Sequence, residues 1–74
     1  MKFKKNTMVR ISCKKKDLME IGMTERDAAK SQNRVGVITG VWGENENKYN
    51  VKIPTVTNNG YDYALDEWML SKLN

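Results

Sequence analysis

The stretch Arg34-Val35-Gly36-Val37-Ile38-Thr39-Gly40-Val41-Trp42-Gly43, continued by Glu44-Asn45-Glu46-Asn47 and Lys48-Tyr49-Asn50-Val51-Lys52-Ile53, decides the fold. It reads as a β-hairpin: a β-branched strand interrupted by glycine, a polar turn, and a second strand. In the second strand Tyr49, Val51 and Ile53 alternate with Lys48, Asn50 and Lys52, the period of a strand buried on one face. The first strand is less regular. Strict alternation would set Val35, Val37, Thr39 and Val41 against Gly36, Ile38, Gly40 and Trp42, leaving neither face polar. A bulge near Gly36 resolves the conflict, because one extra residue shifts side-chain parity and lets Val35, Ile38 and Val41 all point inward. The product is a small, strongly curved sheet.

Outward from the hairpin, further strands and a helical excursion follow. Thr7 to Cys13 alternates so that Val9, Ile11 and Cys13 share one face, a half-buried first strand. Lys14, Lys15 and Lys16 end it. Asp17 and Glu20 then have the spacing of a capping box, opening a short turn through Leu18, Met19 and Ile21 that stops at Gly22. Thr24 caps a second helix over Glu25 to Ser31, with acids in its first turn and Lys30 near its end, as the helix dipole favours. Met23 and Ala28 are placed as a hydrophobic staple, and Gln32-Asn33 supplies a left-handed exit. Residues 17–33 are thus an ordered excursion. After the hairpin, Pro54 closes the strand because it has no amide hydrogen. Asn59-Gly60 turns the chain, Tyr61 to Leu65 alternates, Asp66-Glu67-Trp68 forms one helical turn, and Met69 to Leu73 is a closing strand.

Seventy-four residues make one domain, 1–74, and a domain of that size buries only about 60% of the surface its unfolded chain exposes. Hydrophobic residues at 39% with 30% charged residues describe a folded chain, not a disordered one. No apolar run approaches the roughly 18 residues of a membrane span, and no secretory segment follows the basic start, so a cytoplasmic location without membrane association is expected. Cys13 is the only cysteine and histidine is absent. That composition excludes an internal disulfide, a zinc thiolate pair and the usual Ser-His or Cys-His catalytic pairings. Charge is uneven: residues 1–16 hold seven bases and no acid, whereas residues 17–74 hold six bases and nine acids. The basic segment, whose first part is the arm 1–6, either meets a polyanion or is a solvated, solubilising tail.

Taken in order, five short strands, a long connection after the first, a glycine-bent second strand and a one-turn helix before the last resemble an SH3-like small β-barrel. The portion Arg34 to Val41 is similar to the "hydrophobic, glycine, any, hydrophobic" core of KOW-related barrels, and Leu65-Asp66-Glu67-Trp68-Met69-Leu70 resembles their closing segment. The implied fold is mainly β, a five-stranded SH3-like barrel with a short helical insertion between strands 1 and 2. Similar stand-alone barrels occur in phage and bacterial genomes. The acidic first loop and paired aromatics of signalling SH3 domains, which bind proline-rich ligands, are absent.

Candidate chemistry is sparse. Glu44-Asn45-Glu46-Asn47 offers close-spaced oxygens but lacks the twelve-residue loop with a terminal bidentate glutamate used for calcium, and it reads as a turn. Asp62, Asp66 and Glu67 have no histidine or nucleophile beside them for acid–base catalysis. Cys13 beside three lysines is either a reactive thiol or a small core residue. For Tyr49, Tyr61 and Trp68 packing is expected, while Trp42 beside Gly43 is the preferred exposed contact. A non-enzymatic role without cofactor or metal follows. Two binding classes stay open. One is a protein-interaction module whose groove, between the excursion and the hairpin turn, is lined by Met19, Met23, Trp42 and Tyr63. The other is RNA or DNA binding, with Lys2, Lys4, Lys5, Arg10, Lys14, Lys15 and Lys16 on phosphates and Trp42 or Tyr63 stacked on a base.

Overall fold

The computed structural model describes residues 3–42, 47–56 and 62–73. The elements run β1 (Met8–Ile11), α1 (Lys15–Glu20), α2 (Glu25–Ser31), β2 (Val35–Trp42), β3 (Lys48–Lys52), β4 (Tyr63–Asp66), a 3₁₀ turn (Glu67–Met69) and β5 (Leu70–Lys72). The fold is mainly β. All strand pairs are antiparallel, and the five strands form one sheet in the order β4-β3-β2-β1-β5.

The hairpin anchors this sheet, but its bend lies elsewhere than Gly36. Pairing runs Ile38 with Val51 and then Gly40 with Asn50, so the extra residue is Thr39. A threonine suits the position because its hydroxyl lies within donating distance of two acceptors, the Asn50 carbonyl of the broken ladder at 3.1 Å and a carboxylate oxygen of Asp62 at 2.5 Å. Gly36 instead sits in regular register opposite Val9, on the buried face. A Cβ there would fall 2.6 Å from Cγ1 of Val51 and 3.2 Å from the Lys52 carbonyl, so glycine answers close approach and not a bend. The parity before the bulge follows from this. Val35 stands opposite Arg10, half-buried and away from the core, Ile38 is fully buried, and Val41, opposite Tyr49 near the hairpin end, is 38% exposed. The expected inward set of Val35, Ile38 and Val41 therefore reduces to Ile38.

Other strand patterns match their periodicity. Val9 and Ile11 are buried, with Cys13 partly buried against them, and Tyr49, Val51 and Ile53 form the inner row from β3. Leu65, Met69 and Leu70 close the core, while Leu18, Met23 and Ala28 cover it from the excursion. The amino-terminal segment contributes too. Phe3 is buried, Asn6 at φ 73° turns the chain, and the Asn6 amide donates to the Ile38 carbonyl at 2.6 Å.

Within the excursion, α1 starts earlier than the Asp17 signal suggests. Lys14 is the N-cap, and Asp17 occupies the third helical position, where its Oδ2 accepts the Lys14 amide at 3.1 Å. The acid that reads as a cap is thus the third helical residue returning to the N-cap amide, without the other bond of a capping box because a lysine ammonium accepts none, and Lys15 and Lys16 belong to the helix. Gly22 leaves that helix at φ +112°. The second helix has the expected span. Oγ1 of Thr24 accepts the Asp27 amide at 3.2 Å, Met23 and Ala28 are both buried, and Asn33 exits at φ 63°. Hydrogen bonds tie α2 to segments beyond the excursion: Oγ1 of Thr55 donates to the Lys30 carbonyl at 3.0 Å, and the Tyr63 hydroxyl donates to Asp27 at 3.4 Å.

Candidate functional site

Of the residues expected to line a groove between the excursion and the hairpin turn, the three whose side chains are described have different surroundings. Met23 is 4% exposed and packs in the core, because the staple that starts α2 turns its side chain inward. Met19 is 40% exposed on α1, whereas Tyr63 is half-buried on β4 and engaged with Asp27. The backbone of Trp42 closes β2 opposite Lys48; its side chain lies outside the described structure, as do residues 43–46 and Tyr61.

The basic candidates separate into two groups. Lys4 and Lys5 are exposed beside the turn that precedes β1, next to Ile38 of β2. Lys14, Lys15 and Lys16 follow the other end of β1, beyond the point where the Ile11 amide meets the Arg34 carbonyl. The length of β1 therefore stands between the two clusters. Lys15 is further committed to Glu25 at 3.4 Å, and Arg10 donates to the Asn33 carbonyl at 2.8 Å. Lys2 lies outside the described residues.

Cys13 behaves as a packing residue. Burial is the main influence and the nearby Asp17 carboxylate the second; together they raise its thiol to about 11, opposite to what a reactive thiolate needs. The adjacent lysines do not reverse this. Burial, then the Asp27 carboxylate and the hydrogen bond to it, also raises the Tyr63 phenol above its ordinary value.

A different surface stands out. Trp68 is 61% exposed, the most exposed large hydrophobic side chain among the described residues. It stands at a surface depression of about 700 Å³ lined by Asn47, Asp66, Glu67, Trp68 and Leu70. The backbone explains the exposure. In a single 3₁₀ turn three successive side chains point in three directions, and here Met69 takes the inward one at 2% exposure. The turn is fixed at both ends: the Glu67 amide donates to the Asn47 carbonyl at 2.8 Å, and the Ser12 amide to the Met69 carbonyl at 2.7 Å. Trp68 thus projects from a rigid support.

The carboxylates on this shelf have different partners. Oδ1 of Asp66 lies 3.2 Å from Nζ of Lys48, its cross-strand neighbour, in a pair that is about one third exposed at each side chain. Oε2 of Glu67 accepts the hydroxyl of buried Tyr49 at 3.2 Å. Packing is the expectation for Trp68, because some of the chain's many aromatics must be core. The neighbouring Met69-Leu70 pair carries the contrary signal, since Met69 at the end of the turn and Leu70 after it already fill the inward positions. No helix among the described residues is long and apolar enough to cross a membrane, which leaves strand-built spans unaddressed. No protein-family model, curated protein or solved structure matches the chain.

Proposed function

We propose that this protein is a small non-enzymatic interaction module, an SH3-like barrel that docks a partner protein on the shelf around Trp68. The observation that carries this reading is a tryptophan 61% exposed on a turn held at both ends. Exposed aromatics on rigid supports are the usual anchors of protein interfaces, because they bury much area at little entropic cost. Support for the barrel comes from connectivity. β4 and β5 are the two edges of the sheet, yet only the three residues of the 3₁₀ turn separate them in the chain, a connection that brings their joined ends together and favours a curled sheet.

Protein is favoured over nucleic acid because the lysines divide between the two ends of β1, whereas the exposed tryptophan is flanked by Asp66 and Glu67. Carboxylates beside a stacking surface repel phosphates. The test is affinity capture from host cells with the wild-type chain and with Trp68→Ala, alongside a labelled RNA and DNA panel at low salt. A protein retained by wild type and lost with Trp68→Ala is the expected result. Equal recovery by both, or tight nucleic-acid binding with no protein partner, overturns the proposal.

A further inference from the structure

The geometry points to a lysine- or arginine-bearing segment of a partner protein as the occupant of the Trp68 shelf, an assignment that rests on the interaction role proposed above. Two features of the shelf converge on a cation. The indole of Trp68 is open to solvent, and the face of an indole is the strongest aromatic attractor of ammonium and guanidinium groups. Glu67 lies next to it in the chain and, among the described residues, has no cationic partner; its carboxylate accepts only the Tyr49 hydroxyl, which leaves acceptor capacity for an incoming donor. Asp66 already holds Lys48 at 3.2 Å, so its charge is balanced and Glu67 is the carboxylate left for an incoming cation. An acidic or purely apolar segment would desolvate the Glu67 charge with the Tyr49 hydroxyl as its one donor among the described residues, a cost that a basic side chain offsets.

The occupant is a short extended segment. The depression, at about 700 Å³ and lined by five residues, suits a few side chains and not a whole domain face. The stem of a lysine or arginine covers the tryptophan while its charged head reaches the carboxylate. Such contacts at a half-open site are individually weak, so binding of one segment is modest and salt-sensitive.

The test uses the intact isotope-labelled protein and soluble Gly–Ser peptides carrying Lys, Arg, Glu or Leu. The probes are the Trp68 indole N–H resonance and the backbone amides of residues 66–70. Lys and Arg peptides are expected to shift these resonances, with the Glu peptide inert and the effect reduced by added salt. Glu67→Gln, whose amide oxygen still accepts from Tyr49, is expected to weaken binding about two- to five-fold, the size of an exposed charge pair. Trp68→Ala removes most of it. A Leu peptide that binds the same resonances as well as the Lys peptide overturns the cation assignment while the docking role stands. Lys-peptide shifts confined to other parts of the chain overturn it also. So do concentration-dependent shifts at residues 66–70 in the protein alone, which would identify the occupant as a second copy. Protein capture that is equal for wild type and Trp68→Ala strikes the interaction role instead, and separates the two failures.

Discussion

The backbone amide of Phe3 donates to the hydroxyl of Tyr49 at 3.2 Å, and their rings meet edge to face with centroids 5.4 Å apart. The same hydroxyl donates to Glu67, so one buried side chain ties the amino-terminal segment and the middle of the sheet to the turn that carries Trp68. Tyr49→Phe keeps the ring packing and removes the hydroxyl. It should cost about 1–3 kcal/mol, the range for depriving a buried group of its partner, and Phe3→Ala about 3–5 kcal/mol through lost apolar volume. Urea unfolding measures both, and a Tyr49→Phe protein as stable as wild type would show that the hydroxyl is not a structural tie.

Gly36 and Gly40 lie on the same strand but answer different demands. An added methyl at Gly36 meets Val51 at 2.6 Å, and the stiff β-branched side chain of Val51 has little room to yield, whereas at Gly40 the nearest atom is Nδ2 of Asn50 at an ordinary 3.5 Å. Gly36→Ala should therefore destabilise by about 1–3 kcal/mol. Gly40→Ala should change stability by less than about 1 kcal/mol, reduced unfolded-state entropy tending to stabilise it. Equal effects of the two substitutions in thermal or urea unfolding would refute the distinction.

These glycines also show where the sequence stops being readable. Alternation in Tyr49, Val51 and Ile53 identifies the inner row because one face of β3 is buried throughout. Parity in β2 depends on which residue is extra, and that is set by a cross-strand arrangement of Thr39, Asn50 and Asp62 that no local pattern encodes. Helix α2 is legible because its cap, staple and exit lie within a few residues of one another. By contrast, Asp17 is compatible with either end of a capping box, and only the partner amide of Lys14 decides. Trp68 departs furthest from its expected packing. Bulk favours burial, but the inward place on a one-turn helix was already taken by Met69, a competition decided by packing.

Cys13 provides a prediction with a definite sign. Its thiol is raised from 9.0 to about 11 by burial and by Asp17, so the folded state favours the neutral form. Any stabilisation from this group is fully present below the unfolded thiol pKa and is lost as pH rises from there to about 11. At pH near 8 the thiolate population, and with it the alkylation rate of the native protein, should be about a hundredfold below that of the unfolded chain. Iodoacetamide labelling followed by mass spectrometry across pH measures this. Native labelling with a midpoint near or below 9 would contradict the packing role.

Thr24 controls the excursion that covers the core between β1 and β2. Its Oγ1 accepts the Asp27 amide, and Asp27 in turn receives the Tyr63 hydroxyl from β4, so the cap and the docking contact share one residue. Removing the cap frees an amide at the start of a seven-residue helix, too short to persist without tertiary support. Thr24→Ala should cost about 0.5–2 kcal/mol, and Thr24→Ser much less because the serine hydroxyl accepts the same bond. Hydrogen exchange locates the effect. Amides of residues 27–32 should lose protection in Thr24→Ala beyond the change in global stability, while those of β3 follow the global change alone. Uniform loss across helix and sheet would instead mean that α2 opens only when the whole sheet does.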